Sequence, residues 1–363
     1  MGIQQCSEGS HVSTPTSLRL PDGVRRTVIE TSRGAFTVLE AMPGTGVCER
    51  QPAVLVPGYT GSKEDFLAIL HQLAAAGRRV IAIDLRGQYE TPGPDDWGSY
   101  AIAELGADVA AIIDAVAARV AGTTPPGADG AGPGSAGWAA VARGAASNGN
   151  RSPVHVLGHS FGGLVVRETV LAGASGIGSL TLMSSGPARL TGRAAAELAG
   201  LLAPLDGSGP DTLRRTIERV WDTQMGSQAV AAGVDHQIVS FLRERMLRNS
   251  PIGVRAMGHY LLNAPDRTAE LARHVQAPVL VLYGEYDYRW EPAAQEEMAV
   301  QLSAERVCIP GAAHSPAVEA PETTASALNA FWHAAEAAAD GRGRAAVREA
   351  RARQRVTQDI GQP

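Results

Sequence analysis

"VHVLGHSFGG", residues 154–163, sets one serine between two glycines at the point where an apolar run changes its period. Val154, Val156 and Leu157 read as a short buried strand, and "LVVRETVLAG" (164–173) beyond the turn reads as a helix. G-x-S-x-G at a strand-to-helix turn is the pattern of a nucleophile elbow. Such a turn strains the backbone of the serine, so the residues around it must be small, and Gly158 and Gly162 meet that need. The elbow lifts the Ser160 hydroxyl above the sheet and turns the positive end of the next helix toward it. In a chain with 41 glycines the pentapeptide alone is weak evidence. The strand before it and the helix after it give it weight.

Working outward, "VRRTVIET" (24–31) and "AFTVLEAMP" (35–43) flank "SRG" and predict a β-hairpin. "PAVLVPG" (52–58) and "RRVIAID" (78–84) predict strands, separated by a helix over "KEDFLAILHQLAAAG" (63–77) that ends on a capping glycine. "AIAELGADVAAIIDAVAARVA" (101–121) is a long amphipathic helix. Downstream, "GSLTLMSS" (178–185), "APVLVLYG" (277–284) and "ERVCIP" (305–310) predict strands, and "TTASALNAFWHAAEAAA" (323–339) predicts the last core helix. Strand–helix alternation predicts an α/β fold with a mostly parallel central sheet flanked by helices on both faces.

Two stretches break the alternation. Residues 122–152 are rich in Gly, Ala, Pro and Ser and predict a flexible surface insertion, with a short helix around Trp138 to Arg143. Residues 187–277 contain several helix-like segments and no convincing strand. The expected organisation is a disordered leader (1–16), a core (17–186 and 278–338), a helical lid (187–277) between the sixth and seventh strands, and an Arg/Ala-rich tail (339–363).

The chain has 363 residues, 44% hydrophobic, which suits one large domain with insertions. A formal net charge of −5 argues against nucleic acid or an anionic membrane as partner. Lys63 is the only lysine. Cys6, Cys48 and Cys308 form no CxxC spacing and read as free thiols in a reducing compartment. The N-terminal residues lack the apolar core of a signal peptide, and no run approaches a membrane span, so a cytoplasmic enzyme is the expectation. Oligomeric state is not legible.

A serine needs a base to become nucleophilic at neutral pH. Of the nine histidines, His314 stands out. It sits in "CIPGAAHSPAVEAPE", past a predicted strand and before a helix, where such sheets hold catalytic groups. His159 adjoins the serine, but neighbours in a tight turn point apart. A base needs a carboxylate to fix its tautomer. "VLVLYGEYDYRWEP" offers Asp287, the preferred residue, and Glu285, the alternative. The chain order Ser160, Asp287, His314 is the one expected of this elbow type. An oxyanion would rest on two backbone N–H groups. Phe161 supplies one, and Tyr59 in "LVPGYTGSKEDF" supplies the other.

Taken together, "VPGYTGS", "IAIDLRGQYET", "GHSFGG", "LYGEYD" and "IPGAAHSP" resemble the α/β-hydrolase superfamily. The branch resembled is that of pimeloyl-carrier-protein methyl-ester carboxylesterases and non-haem haloperoxidases. The resemblance runs from residue 24 to about 335, apart from 122–152, and implies the α/β-hydrolase fold. It departs in two places. Pro57-Gly58 stands where the family often has His-Gly, and Tyr89 and Thr91 replace the usual glycine and serine of Asp-x-Arg-Gly-x-Gly-x-Ser. Asp84 and Arg86 in that motif are expected to stabilise the loop. The resemblance further implies that Ser160 excludes the dehalogenase and epoxide-hydrolase subfamilies, which use an aspartate there.

These observations predict a serine hydrolase acting on a small or medium, mostly apolar carboxylic ester through an acyl-enzyme. No metal or organic cofactor is called for. Trp221, Met225 and Tyr260, in the helical stretch, are candidates to line an acyl pocket, although most apolar residues there are expected to pack. Acyl transfer, thioester hydrolysis, C–C cleavage and perhydrolysis would use the same residues. A hydrolase-fold protein that binds a small ligand without chemistry is the alternative of another class.

Overall fold

The computed structural model describes residues 13–45, 47, 49–120, 152–206 and 209–359. The expectations for residues 1–12, Cys6, Cys48 and the 121–151 part of the insertion, including its short helix, lie outside the described residues.

Among the described residues eight strands are present: β1 (Val24–Thr31), β2 (Gly34–Ala41), β3 (Ala53–Val56), β4 (Val80–Ile83), β5 (Val154–His159), β6 (Ile177–Met183), β7 (Val279–Gly284) and β8 (Glu305–Ile309). They form one sheet in the order β1-β2-β4-β3-β5-β6-β7-β8. β1 pairs antiparallel with β2 and β2 antiparallel with β4, while every pair from β4 to β8 is parallel. The parallel strands are short, and those in the middle of the sheet are mostly apolar. They alternate between two apolar layers, Val54 and Val56 of β3 in one and Ala53 and Leu55 in the other. A strand buried on both faces must read as a continuous apolar run, as β3, β4 and β7 do.

One layer is covered by α1 (Leu67–Ala75) and by the C-terminal helix, which meet each other there. The other is covered by α2 (Ile102–Val120) and α3 (Phe161–Leu171), also packed together. Residues 63–77, expected as one helix, divide into a 3-10 turn at Lys63–Phe66 and α1.

Between β6 and β7 run α4 (Gly192–Leu202), α5 (Pro210–Val220), a π-helical turn at Trp221–Met225, α6 (Gly226–Ala231), α7 (His236–Arg248), α8 (Pro251–Asn263) and α9 (Thr268–His274). No strand interrupts them among the described residues. After β7 come α10 (Pro292–Gln301), then β8, the short α11 (Pro316–Glu319) and α12 (Pro321–Asp359). The region expected as an Arg/Ala-rich tail continues the helix α12 as far as Asp359.

The leader, expected to be disordered through residue 16, is held from Ser13. Its carbonyl accepts from Arg245 Nη2 at 2.8 Å, and Pro15 is buried. The cause is Arg245, a fully buried guanidinium that needs acceptors. Asp65 supplies one at 2.6 Å and Ser13 another.

Candidate active site

Ser160 sits between β5 and α3 with φ 54° and ψ −120°, a left-handed conformation that non-glycine residues rarely adopt. Backbone strain of this kind persists only where the surroundings enforce it. The Ser160 N–H donates to the Met183 carbonyl at 2.9 Å, which ties the elbow to β6. A Cβ on Gly158 would lie 2.3 Å from the Gly162 carbonyl oxygen, and one on Gly162 would lie 2.5 Å from the carbonyl oxygens of Val56 and Pro57. Both positions require glycine because backbone meets backbone there.

His314 Nε2 lies 3.0 Å from Ser160 Oγ, and His314 Nδ1 lies 2.9 Å from Asp287 Oδ1. β5, β7 and β8 thus bring Ser160, Asp287 and His314 together at the carboxyl edge of the sheet. The β7–β8 register, with Gly284 opposite Ile309, sets the two loops side by side. Asp287 is buried and also accepts from the Arg289 N–H at 3.0 Å and from Gln295 Nε2 at 2.9 Å. Burial alone would raise its carboxyl pKa. The charge and hydrogen bond of His314, with the two other donors, outweigh burial and hold it below the usual value. The ionised carboxylate assigns the proton of His314 to Nδ1 and leaves the Nε2 lone pair facing Ser160. The arrangement is able to move the serine proton onto the imidazole.

Glu285, the alternative acid, accepts instead from the Gly311 N–H at 2.9 Å. Three further residues brace His314 and were not singled out for it from the sequence. Glu319 accepts from the N–H groups on either side of the histidine, Ala313 at 2.5 Å and Ser315 at 3.2 Å. His159 Nε2 lies 2.8 Å from the His314 carbonyl, so that nitrogen carries the proton. Burial, followed by the nearby His314, lowers the His159 pKa to about 4 and keeps the ring neutral. Trp290 lies with its ring centroid 6.3 Å from that of His314. The sequence signals were an acid at the end of a short helix, a histidine beside the serine and an aromatic three residues past Asp287.

Gly58 packs on the elbow; a Cβ on it would stand 3.1 Å from Ser160 Cβ. Phe161 is the first residue of α3, so its N–H has no partner within the helix. Asp84 accepts from Lys63 Nζ at 2.8 Å, and Arg86 pairs with Asp108 at 2.5 Å. Both hold loop structure, as expected.

A cavity of about 470 Å³ opens over Ser160 and His314. Gly58, Tyr59 and Trp290 line its floor, and the helices between β6 and β7 supply Leu198, Leu201, Ile217, Met225, Met246 and Val254. Of the three pocket candidates Met225 is among the lining residues. Trp221 is buried against Gly226. Tyr260 sets its ring edge-on to Phe161 and its hydroxyl 3.3 Å from Arg167 Nη2. Neither Trp221 nor Tyr260 is among the residues that line the cavity. No cluster of three or more metal-ligating side chains occurs among the described residues, and no described helix is long and apolar enough to cross a membrane.

Residues 53–327 match a model of the alpha/beta hydrolase family. A protein of Variovorax paradoxus (strain S110), provisionally named carbamate hydrolase RutD, is 30% identical over 244 residues, covering 65% of this chain and 74% of its own. A structure from Acinetobacter baumannii AYE, provisionally named a lipase, has a TM-score of 0.61 at 18% identity and covers 87% of this chain and 93% of its own. An esterase from Rhodococcus sp. ECU1013 has a TM-score of 0.56 at 21% identity, covering 86% of this chain and 98% of its own. At these identities the two structures speak to the fold.

Proposed function

Because this chain belongs to the alpha/beta hydrolase family and is a hydrolase, we propose that it is a serine hydrolase cleaving a carboxylic ester of a small or medium, mostly apolar substrate through an acyl-enzyme. The observation that carries the reading is the unbroken chain from Ser160 Oγ through His314 to Asp287, at 3.0 Å and 2.9 Å. Ser160 attacks the carbonyl carbon while His314 Nε2 takes its proton. The negative oxygen of the tetrahedral intermediate rests on the N–H groups of Tyr59 and Phe161. The intermediate collapses, His314 protonates the departing alkoxide, and an acyl-enzyme remains. Water, deprotonated by the same histidine, then releases the acid and restores the serine. Asp287 keeps the proton on Nδ1 and stabilises the imidazolium at each step. The apolar helices above the serine support the acyl-pocket reading and the role of residues 187–277 as a lid. The exposed free thiol of Cys308 supports a reducing, cytoplasmic location.

A carbamate is the second reading, favoured by the name of the Variovorax relative. The same serine would attack that carbonyl.

Hydrolysis of p-nitrophenyl esters from acetate to longer acyl chains, by wild type and by Ser160→Ala, tests the proposal, with a p-nitrophenyl carbamate as a parallel arm. Wild-type turnover is expected, and a fall in kcat on the order of 10⁴-fold or more in the variant. Turnover of the carbamate alone would favour the second reading. Equal activity in both proteins would sink the assignment of Ser160. Tight binding of the esters without turnover would favour the non-catalytic alternative.

A further inference from the structure

The loop carrying Gly58 and Tyr59 is held from behind by a side chain of another loop. Gln88 follows β4 and is buried. Its Nε2 donates to the Gly58 carbonyl at 2.8 Å, and its Oε1 accepts the Leu85 N–H at 3.2 Å. The partners dictate the orientation of the amide, since a carbonyl must meet a donor and an N–H an acceptor.

The Gly58 carbonyl and the Tyr59 N–H belong to one peptide unit. That peptide is trans, as are all the described peptide bonds. In a trans peptide the C=O and N–H point in opposite directions from one rigid plane. Fixing the carbonyl on Gln88 therefore fixes where the Tyr59 N–H points. Gly58 abuts Ser160, and Tyr59 lines the cavity with it. The Gly61 N–H also reaches the Gly58 carbonyl, at 3.1 Å, but it belongs to the same loop and moves with it. Gln88 anchors the peptide to a different part of the sheet.

We propose that Gln88 is the positioning residue of the oxyanion hole. It holds the Gly58–Tyr59 peptide with the Tyr59 N–H turned toward the oxygen that becomes negative as Ser160 attacks. This rests on the serine-hydrolase reading above. Gln88 makes and breaks no bond in the reaction; it acts through the peptide.

Two variants and a pH series test it. Gln88→Met keeps the length of the side chain and removes the donor. Gln88→Glu keeps an acceptor for Leu85 and donates to Gly58 only while its carboxyl is protonated. Each is assayed with wild type and Ser160→Ala on one p-nitrophenyl ester, from about pH 5 to about pH 8, a range spanning the titration of a buried carboxyl. Gln88→Met is expected to lose about tenfold to a hundredfold in kcat, less than deletion of an oxyanion donor. Its KM should stay within about twofold, because the donor acts mainly in the transition state. Its kcat relative to wild type should not vary with pH. For Gln88→Glu that ratio should rise toward wild type as pH falls.

The charged groups around the two loops are Lys63, Glu64, Asp84 and Glu90, which form one ion cluster, the buried Asp65–Arg245 pair, Arg86 on Asp108, and Arg248 over Tyr89; the titratable neighbours are Tyr89, His159 and His314. All are common to wild type and Gln88→Met, so their titration cancels in that ratio, which is the baseline against which the Gln88→Glu ratio is read. Wild-type kcat in Gln88→Met, or a flat ratio for Gln88→Glu, would overturn the proposal with Ser160 dependence intact. Should Gln88→Met fail to fold, the pH series of Gln88→Glu decides by itself. Full activity in Ser160→Ala is a different result, and removes the underlying reading.

Discussion

Asp287 accepts three hydrogen bonds, from His314, the Arg289 N–H and Gln295, in a buried setting that would by itself favour the neutral acid. The donors reverse that preference, so the carboxylate stays ionised at and above the usual carboxylate range. Asp287→Asn keeps the shape and removes the charge. It also turns an amide toward Nδ1 of His314, which favours the wrong tautomer. The expected loss in kcat is about 10⁴-fold with the fold retained, measured by steady-state kinetics beside circular dichroism. The choice between Asp287 and Glu285 was legible as a preference only. Both lie within three residues of Gly284, and the bond from Gly311 to Glu285 arises from a chain segment that local sequence does not place beside it. Gln88 gave no sequence signal at all, because its role depends on a carbonyl thirty residues upstream.

At the scale of elements, the central strands β3, β4 and β7 were legible because each is buried on both faces and so must be an apolar run. Helices between β6 and β7 were legible as helices, by spacing, but the face each turns to the cavity was not. A helix offers several apolar stripes, and packing partners decide which is covered. Trp221 and Tyr260 illustrate this, spent on Gly226 and Phe161 while Leu198 and Leu201 of α4 line the cavity. Leu201 is half-buried, so the position tolerates bulk. Leu201→Trp should narrow the acyl pocket. Turnover of the longest p-nitrophenyl ester is expected to fall about tenfold or more while acetate is spared, since each methylene excluded costs roughly 1–3 kcal/mol. An unchanged chain-length profile would remove α4 from the pocket.

At the scale of the whole molecule, Glu336 ties the C-terminal helix α12 to the sheet. It accepts from Arg78 Nη1 at 2.5 Å, the Gln51 N–H at 3.2 Å and His155 Nε2 at 3.3 Å. Burial would raise its pKa, but His155 and the Arg78 guanidinium outweigh it and hold the carboxyl far below the usual glutamate value. A depressed carboxyl stabilises the fold above the unfolded value of 4.5, and loses that contribution as pH falls below it. Glu336→Gln leaves the buried Arg78 without its charge partner and should cost about 3 kcal/mol in urea unfolding at neutral pH. The difference from wild type should shrink as pH falls below the glutamate range. The succession of strands and helices along the chain, the position of Ser160 and the loops bearing Asp287 and His314 were determined by the sequence alone. Each is written in local period and turn chemistry, which one short stretch of chain suffices to enforce. Bracing of His314 by His159, the aim of the Tyr59 amide and the walls of the cavity were decided by the tertiary structure. They are contacts between segments distant in the chain, and only the parallel register of the sheet brings those segments together.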